Sequence, residues 1–483
     1  MKKTIFLFIS VLSVLAAQSR RQPAYLVKAS PDKRVHVQAG FALDNDTIFI
    51  FARGTTPELP EGEAGFVKNL VVKDVNGRDI AHRYAGDGNW ILAGIQPGQW
   101  VEITYELLTT HKQYNWDHVG GVDEAAFTND DGLFFTGYSL FILPGMDMKN
   151  IELRFDLPSG WKASTPWQQK DKQVFTVPDS RLLVNNCLML GKHKEALIKV
   201  GNMEMRLAIA GKIAYALPLV QKTMQRVLAA YQSLFKGSPA PVYLVAMSDE
   251  RMTDGSAFRG SFSQIFADTI DEKGIATWGY IMAHEIFHLW NGHALIPERQ
   301  EEWFKEGFTD YMTNLVLRKA GLITDETMYR KLEHMARRYW LDRMWQRDTL
   351  SIQQTGEQKE KFRFGVYGGG AVVAIALEVE MRRATGMKKG VADLMTKMFE
   401  DFAGKNKRYS LPDIIAAVNE ITGKNLRPFF DRYVTGKEFL DLKPYLAEMG
   451  LDFYTVIEEV FVTPNKKATA GQKAMYRKIF IQP

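Results

Sequence analysis

The sequence predicts an α+β chain: an N-terminal all-β domain followed by a mainly helical domain that begins with a small sheet. Three observations carry that prediction. At 483 residues the chain exceeds what one ordinary core accommodates. From about Ala24 to Ile209 apolar and polar residues alternate, and after Lys212 the apolar spacing changes to the three-to-four step of a helix. Hydrophobic residues at 46% and charged residues at 24% supply enough apolar material for large cores and exclude a disordered chain.

Taken in order, the first segment has Lys2 and Lys3, an apolar run from Ile5 to Leu15, and the small-residue pattern Val14-x-Ala16 before polar Gln18. This is the layout of a secretory signal peptide over residues 1–17. The run is too short to span a bilayer comfortably, and no cysteine lies near the cleavage site to carry a lipid. No later segment approaches eighteen uninterrupted apolar residues. An exported protein, periplasmic or extracellular, with no stable membrane span after signal removal is therefore expected. Residues 24–210 form the β domain, with alternation in "HVQAGFAL", "DTIFIFARG", "QWVEITYELL", "NIELRFDLP" and "MEMRLAIAG" and turns at "NG", "GDGN" and "PSGW". The aromatics of "GLFFTGYSLFILPG" read as core and edge packing. Cys187, the sole cysteine, excludes an intramolecular disulfide and any thiolate-rich zinc cluster, and in "LLVNNCLML" it reads as a buried small residue. The net charge of +5 is spread among acids rather than gathered in a stripe, so nucleic acid is not an expected partner.

Residues 211–440 form the second domain. "YALPLVQKTMQRVLAAYQSLFKG" (215–237) has helical spacing and stops at Gly237; "APVYLVAM" and "SFSQIFAD" are strand candidates, and helices follow to about Tyr433. Residues 441–483 are too few for another domain and are expected to pack on the body as a tail. Nothing in the sequence sets the oligomeric state.

The chemistry concentrates in "MAHEIFHLWNGH", residues 282–293. Residues four apart on a helix lie one above the other, so His284 and His288 can present two imidazoles to one metal ion. Glu285, about 100° round the helix, can reach a water on that metal without ligating it. A catalytic zinc needs a third protein ligand and an open position. "QEEWFKEGFTDYMTNLVLRKAG" reads as a second helix with Phe304, Phe308, Tyr311 and Leu315 on its apolar face. Glu306 falls among those positions, where an unpaired carboxylate is costly and a metal would remove the cost. Glu301 and Glu302 are rivals, but they stand at the helix start, where the dipole favours acids. Asp310, one turn after Glu306, is placed to accept a proton from a ligand histidine. His293 falls off the face of the other two, and the histidines at 36, 82, 111, 118, 193 and 334 have no comparable setting.

With these residues, "HEIFHLWN" followed by "WFKEGFTDY" resembles the glycyl aminopeptidase family of gluzincin zinc metallopeptidases. "VYGGGAVVAIALEVEMRRATG", "SLPDIIAAVNEITGKNLRPFFDRYVTGKE" and "PYLAEMGLDF" follow that family's pattern in order, and "DDGLFFTGYSLFILPG" is similar to a segment of its β domain. The resemblance implies a thermolysin-like catalytic domain, one Zn2+ per chain held by His284, His288 and Glu306, and Tyr367 donating its hydroxyl to the tetrahedral intermediate. Read without the family, Tyr367 is a phenol in a glycine-rich turn, equally compatible with simple packing. The chain departs from the family at three places. Residues 289–305 are one fewer than the usual spacing between the second histidine and the glutamate. Gly368–Gly370 replace a lysine after the tyrosine. "TDGSAFRGSFSQIF" has Phe258 or Arg259 where the family has a glutamate for the substrate's amine, with Asp254 the nearest substitute. The family's C-terminal PDZ domain is not expected.

The expected activity is thus peptide-bond hydrolysis on a peptide or protein substrate, aminopeptidase-like, with Glu285 as base and Tyr367 stabilising the oxyanion. Two alternatives stand beside it: an endopeptidase or other peptidase that needs no free amine, and an inactive peptide-binding homologue.

Overall fold

The computed structural model describes residues 21–52, 60–108, 126–250, 253–267, 269–346, 349–405 and 407–482. The expected signal peptide, His111 and His118 lie outside the described residues. The chain forms two compact units, Met1–Lys192 and His193–Pro483.

The first unit is built from strands that bury one face. In Arg34–Leu43, residues Val35, Val37, Ala39, Phe41 and Leu43 are buried, and in Gln99–Leu108 the same holds for Val101, Ile103, Tyr105 and Leu107. That period of two is what a half-buried sheet requires. These two strands pair antiparallel inside a seven-stranded sheet that also contains Ala24–Ala29 and Lys149–Asp156, its one parallel pair. Two four-stranded sheets complete the unit. One of them pairs Gly132–Thr136 with Cys187–Gly191, every residue of both strands being buried. Buried hydroxyls find backbone partners: Tyr105 donates to Leu140 O at 2.7 Å and Tyr25 to Ile142 O at 2.8 Å, so neither leaves a polar atom stranded in the core.

The second unit opens with a five-stranded sheet in the order Lys194–Val200, Met203–Ile209, Val242–Asp249, Ser261–Phe266, Asp254–Ala257. The expected boundary near residue 210 is thereby corrected to 192/193: Met203–Ile209 alternates like the β domain but pairs parallel with Val242–Asp249. Alternation reports a half-buried strand and not the sheet it joins. Helix Leu217–Phe235 crosses between those parallel strands. It stops at Lys236, which takes the left-handed conformation (φ 55°), one residue before the expected Gly237. The edge strand Asp254–Ala257, absent from the sequence reading, holds four half-buried residues and no apolar run.

Helices make up the rest of the unit. The motif helix spans Trp278–Phe287, the glutamate helix Glu302–Lys319, and a long helix Asp325–Gln346. Phe364–Gly369 is π-helical and continues into α-helix Gly370–Ala384, together called the tyrosine helix. This last segment is apolar and long enough to cross a membrane, but most of it is buried inside the unit, as in a core helix. The closing hairpin Leu451–Val456 with Glu459–Pro464 and helix Ala470–Phe480 bury Ile479, Phe480, Val460 and Val462 in the same core.

Candidate metal centre

The motif helix is apolar on nearly every side, with Met282, Ala283, Ile286 and Phe287 fully buried, so its histidines have a rigid seat. His288 caps the helix with its backbone still helical (φ −60°, ψ −18°), which keeps it one turn above His284. The Nε2 atoms of His284 and His288 face each other at 3.2 Å. The glutamate helix brings Glu306 to them, its Oε2 3.5 Å from His284 Nε2 and 3.2 Å from His288 Nε2. Two imidazole nitrogens and a carboxylate oxygen thus form a small triangle. Donors about 2.0–2.1 Å from a tetrahedral ion stand roughly 3.3–3.4 Å from one another, so the triangle has the dimensions of three zinc ligands with the fourth position open. Glu306 Oε2 is also buried without a hydrogen bond among the described residues, a costly state that a cation would relieve. These residues fit a divalent ion.

Glu285 lies beside the triangle, within 4.8 Å of both imidazoles. Glu306 Oε2 is nearer to each, which favours Glu306 as the third donor and leaves Glu285 for a water. The rival acids are engaged elsewhere. Glu301 accepts from Trp303 Nε1 at 2.7 Å, Gln353 Nε2 at 2.8 Å and Leu411 N at 3.0 Å. Glu302 pairs with Lys305 at 2.7 Å.

The imidazoles are held from behind. His284 Nδ1 is 2.9 Å from Asp310 Oδ1, and Asp310 is in turn held by the Tyr280 hydroxyl and by Arg338 Nη1 at 2.8 Å. His288 Nδ1 lies 2.9 Å from the carbonyl of Asn291. Asn291 Nδ2 then donates to Lys305 O at 3.0 Å and Thr309 Oγ1 at 3.1 Å on the glutamate helix. Each imidazole's ring orientation is therefore fixed by a partner, an arrangement that suits metal-binding histidines. Tyr280 carries a signal in the sequence, one helical turn before His284. Arg338 has none, because it reaches Asp310 from a helix packed there only by the tertiary fold.

The electrostatics follow. Burial alone would lower the pKa of His284, but the Asp310 and Glu306 carboxylates raise it to about 10. Burial would raise Glu306; His288, Lys359 and Lys305 overcome it and hold that carboxyl well below its usual range. Glu285 goes the other way, raised mainly by burial against the pull of the two imidazoles.

Tyr367 sits in the π-helical turn, its ring stacked on His284 with centroids 6.2 Å apart and planes at 22°. The expected glycine-rich turn is corrected to a helix. Its glycines serve close packing: a Cβ on Gly307 would overlap the backbone of Gly370 and Ala371, and one on Gly370 would overlap that of Trp303. The two helices can touch backbone to backbone only with glycine on both. Burial, then the charge of Glu306, raises the Tyr367 pKa well above its ordinary value, so the phenol keeps its proton.

The "DGSAFRGSF" stretch runs beside the motif helix, with Gly255 close against Phe262 and Ile281. Asp254 and the buried Phe258 stand about 13 Å apart at the strand's rise, and Asp254 accepts from Gly255 N at 2.9 Å. The Phe258 end lies against His293, whose backbone N donates to His288 O at 2.9 Å. His293 bonds the Phe258 carbonyl, and burial, then His288, Arg259 and Lys305, press the His293 pKa down to about 3. His36, His82, His193 and His334 belong to no cluster of potential donors among the described residues.

Residues 59–192 match the Peptidase M61 N-terminal domain and residues 265–433 the Peptidase family M1 domain. No curated protein matches the chain. Among solved structures, the chain is similar to an aminopeptidase N family protein from Idiomarina loihiensis, at 18% identity and a TM-score of 0.74, over 90% of this chain and 79% of that one. An M1 zinc metallopeptidase from Deinococcus radiodurans is similar over 87% of this chain and 94% of its own, at 14% identity and a TM-score of 0.54. A glutamate-to-alanine mutant of that metallopeptidase, bound to a Tyr-Ser-Ala substrate, is similar at 14% identity and a TM-score of 0.53, over the same shares of the two chains. These likenesses describe the same fold.

Proposed function

We propose that this chain, a zinc-dependent metallopeptidase of the gluzincin aminopeptidase group, hydrolyses short peptides outside the cytoplasm with one Zn2+ held by His284, His288 and Glu306. The observation that carries the reading is the triangle of His284 Nε2, His288 Nε2 and Glu306 Oε2 with Glu285 beside it. Zinc, when bound, supplies a Lewis acid for the scissile carbonyl and lowers the pKa of a water. Glu285 takes the proton from the attacking water and hands it to the leaving amine; its burial-raised pKa brings the two transfers closer in energy. Tyr367, protonated and stacked beside His284, donates to the developing oxyanion. Asp310 and Asn291 keep the imidazoles in register while this occurs. The Deinococcus relative's Tyr-Ser-Ala substrate supports short peptides as the substrate class, and the leader-like residues 1–17 support export.

Aminopeptidase-like cleavage is the first reading. A second, cleavage without need of a free amine, is favoured by one observation: Arg259 and Lys305 stand near His293 at the Phe258 end of the edge strand, where an ammonium would meet like charge.

The deciding experiment digests a mixed peptide library, free and N-acetylated, with wild-type and Glu285→Gln protein. Wild type should carry one zinc, and the variant should keep it while losing turnover by about 10²–10⁴-fold. Near-normal hydrolysis by the variant removes Glu285 from the mechanism. Cleavage of the acetylated peptides selects the second reading, and metal-free, inactive wild-type protein selects a peptide-binding role. N-terminal sequencing of the exported protein tests the leader.

A further inference from the structure

We propose that Lys359 is a positioning residue for the third metal ligand: its ammonium claims Glu306 Oε1 and leaves Oε2 alone to face the ion. The inference rests on the reading of Glu306 as a zinc ligand. The two oxygens of this buried carboxylate have different surroundings. Oε2 faces the two imidazoles and accepts no hydrogen bond among the described residues. Oε1 accepts from Lys359 Nζ at 2.6 Å and lies 3.2 Å from Lys305 Nζ.

Of the two ammoniums, Lys359 is the closer, and Lys305 has a better partner in Glu302 at 2.7 Å. Lys359 stands 3.6 Å from the same Glu302 oxygen, so two cations alternate with two carboxylates. The Lys359 side chain is 24% exposed against 2% for Glu306, which leaves the short pair only partly screened by water. Its backbone is pre-set by turn bonds: Phe362 N donates to Lys359 O at 3.2 Å and to Gln358 O at 3.1 Å.

The arrangement matters because a carboxylate can bind a metal through one oxygen or both. A second bond from Glu306 would fill the open position that a catalytic zinc keeps for water and substrate. A charge-assisted hydrogen bond on Oε1 makes that second bond expensive. The same ammonium lies 5.6 Å from the centroid of the Tyr367 ring, within cation–π range. One side chain, 53 residues downstream of Glu306, thus bonds to Glu306 and stands within cation–π range of Tyr367.

The test compares wild type, Lys359→Met, Lys359→Arg and Glu306→Gln. Zinc affinity is measured by chelator competition, coordination by the visible spectrum of the Co2+-substituted protein, and kcat and KM with a peptide; apoprotein melting monitors folding. Lys359→Met should lower kcat by about 10–100-fold, with zinc bound no more weakly than in wild type and KM changed less than about twofold. Its cobalt bands should weaken towards those of a five-coordinate ion. Lys359→Arg, which keeps a donor, should recover most of the loss. A wild-type cobalt spectrum in Lys359→Met overturns the proposal, as do equal losses in both lysine variants with a lowered melting temperature. Glu306→Gln binding zinc as tightly as wild type would instead sink the ligand reading itself.

Discussion

The imidazole of His284 sits between two carboxylates, and that placement makes the proposed metal binding sensitive to pH. Asp310 and Glu306 raise the His284 pKa to about 10 against its burial, so an ion binding there should displace a proton. Zinc affinity should therefore rise with pH, by about tenfold per unit through the neutral range. Chelator competition at several pH values reads this directly, and a flat profile would mean that no proton is displaced. Removing the Asp310 charge while keeping its shape, as in Asp310→Asn, should weaken zinc binding by about 10–100-fold and flatten that slope. Tyr367→Phe removes one hydrogen-bond donor and should cost about 10²–10³ in kcat with zinc content unchanged; full activity would show that the phenol only packs against His284. For Glu285 the sign is set by the role of base proposed for it. Its pKa is raised, so activity should be present above that pKa and lost as pH falls through it, with the acid limb of kcat/KM above the ordinary carboxylate range. Glu285→Asp should move that limb, and a limb that stays in place belongs to another group.

Between residues and the whole chain, the helices show what the sequence makes visible. The motif and glutamate helices were legible because their own side chains carry both the helical period and the chemistry, as in Phe304, Glu306 and Phe308. Asp310 was legible for the same reason, one turn beyond Glu306 on the same helix. What pattern could not show is contact between segments distant in the chain. Arg338 and Lys359 are ordinary surface-type residues in sequence, and only packing brings them to Asp310 and Glu306. The three glycines after Tyr367 have the composition of a turn, and the reasons for them lie on facing segments: Arg338 and Tyr339 for Gly368, Ile352 for Gly369, and Trp303 and Gly307 for Gly370. Gly307→Ala should force the two helices apart and cost about 1–3 kcal/mol, seen as a lower melting temperature. Because Glu306 is the neighbouring residue and Tyr367 lies on the other helix, kcat should fall as well. A variant as stable and active as wild type would show that the interface yields more easily than the backbone contact implies.

For the whole molecule, the boundary at 192/193 decides where the chain can be divided. A protein beginning at His193 keeps the five-stranded sheet intact and should fold and bind zinc alone. One beginning at residue 211 loses Lys194–Val200 and Met203–Ile209 and bares the edge of Val242–Asp249, six of whose residues are buried. That exposed apolar edge should make it aggregate. Gel filtration and zinc content separate the two fragments, and equal behaviour would place the boundary where alternation of the sequence suggested. Cys187 offers a way to follow the other unit in the intact protein. It is the sole cysteine, fully buried in a strand flanked on both sides by others. A thiol reagent can reach it only when that sheet opens. Its labelling rate, set against that of an exposed thiol, is a clock for the opening of the N-terminal unit alone, silent to everything that happens around the metal.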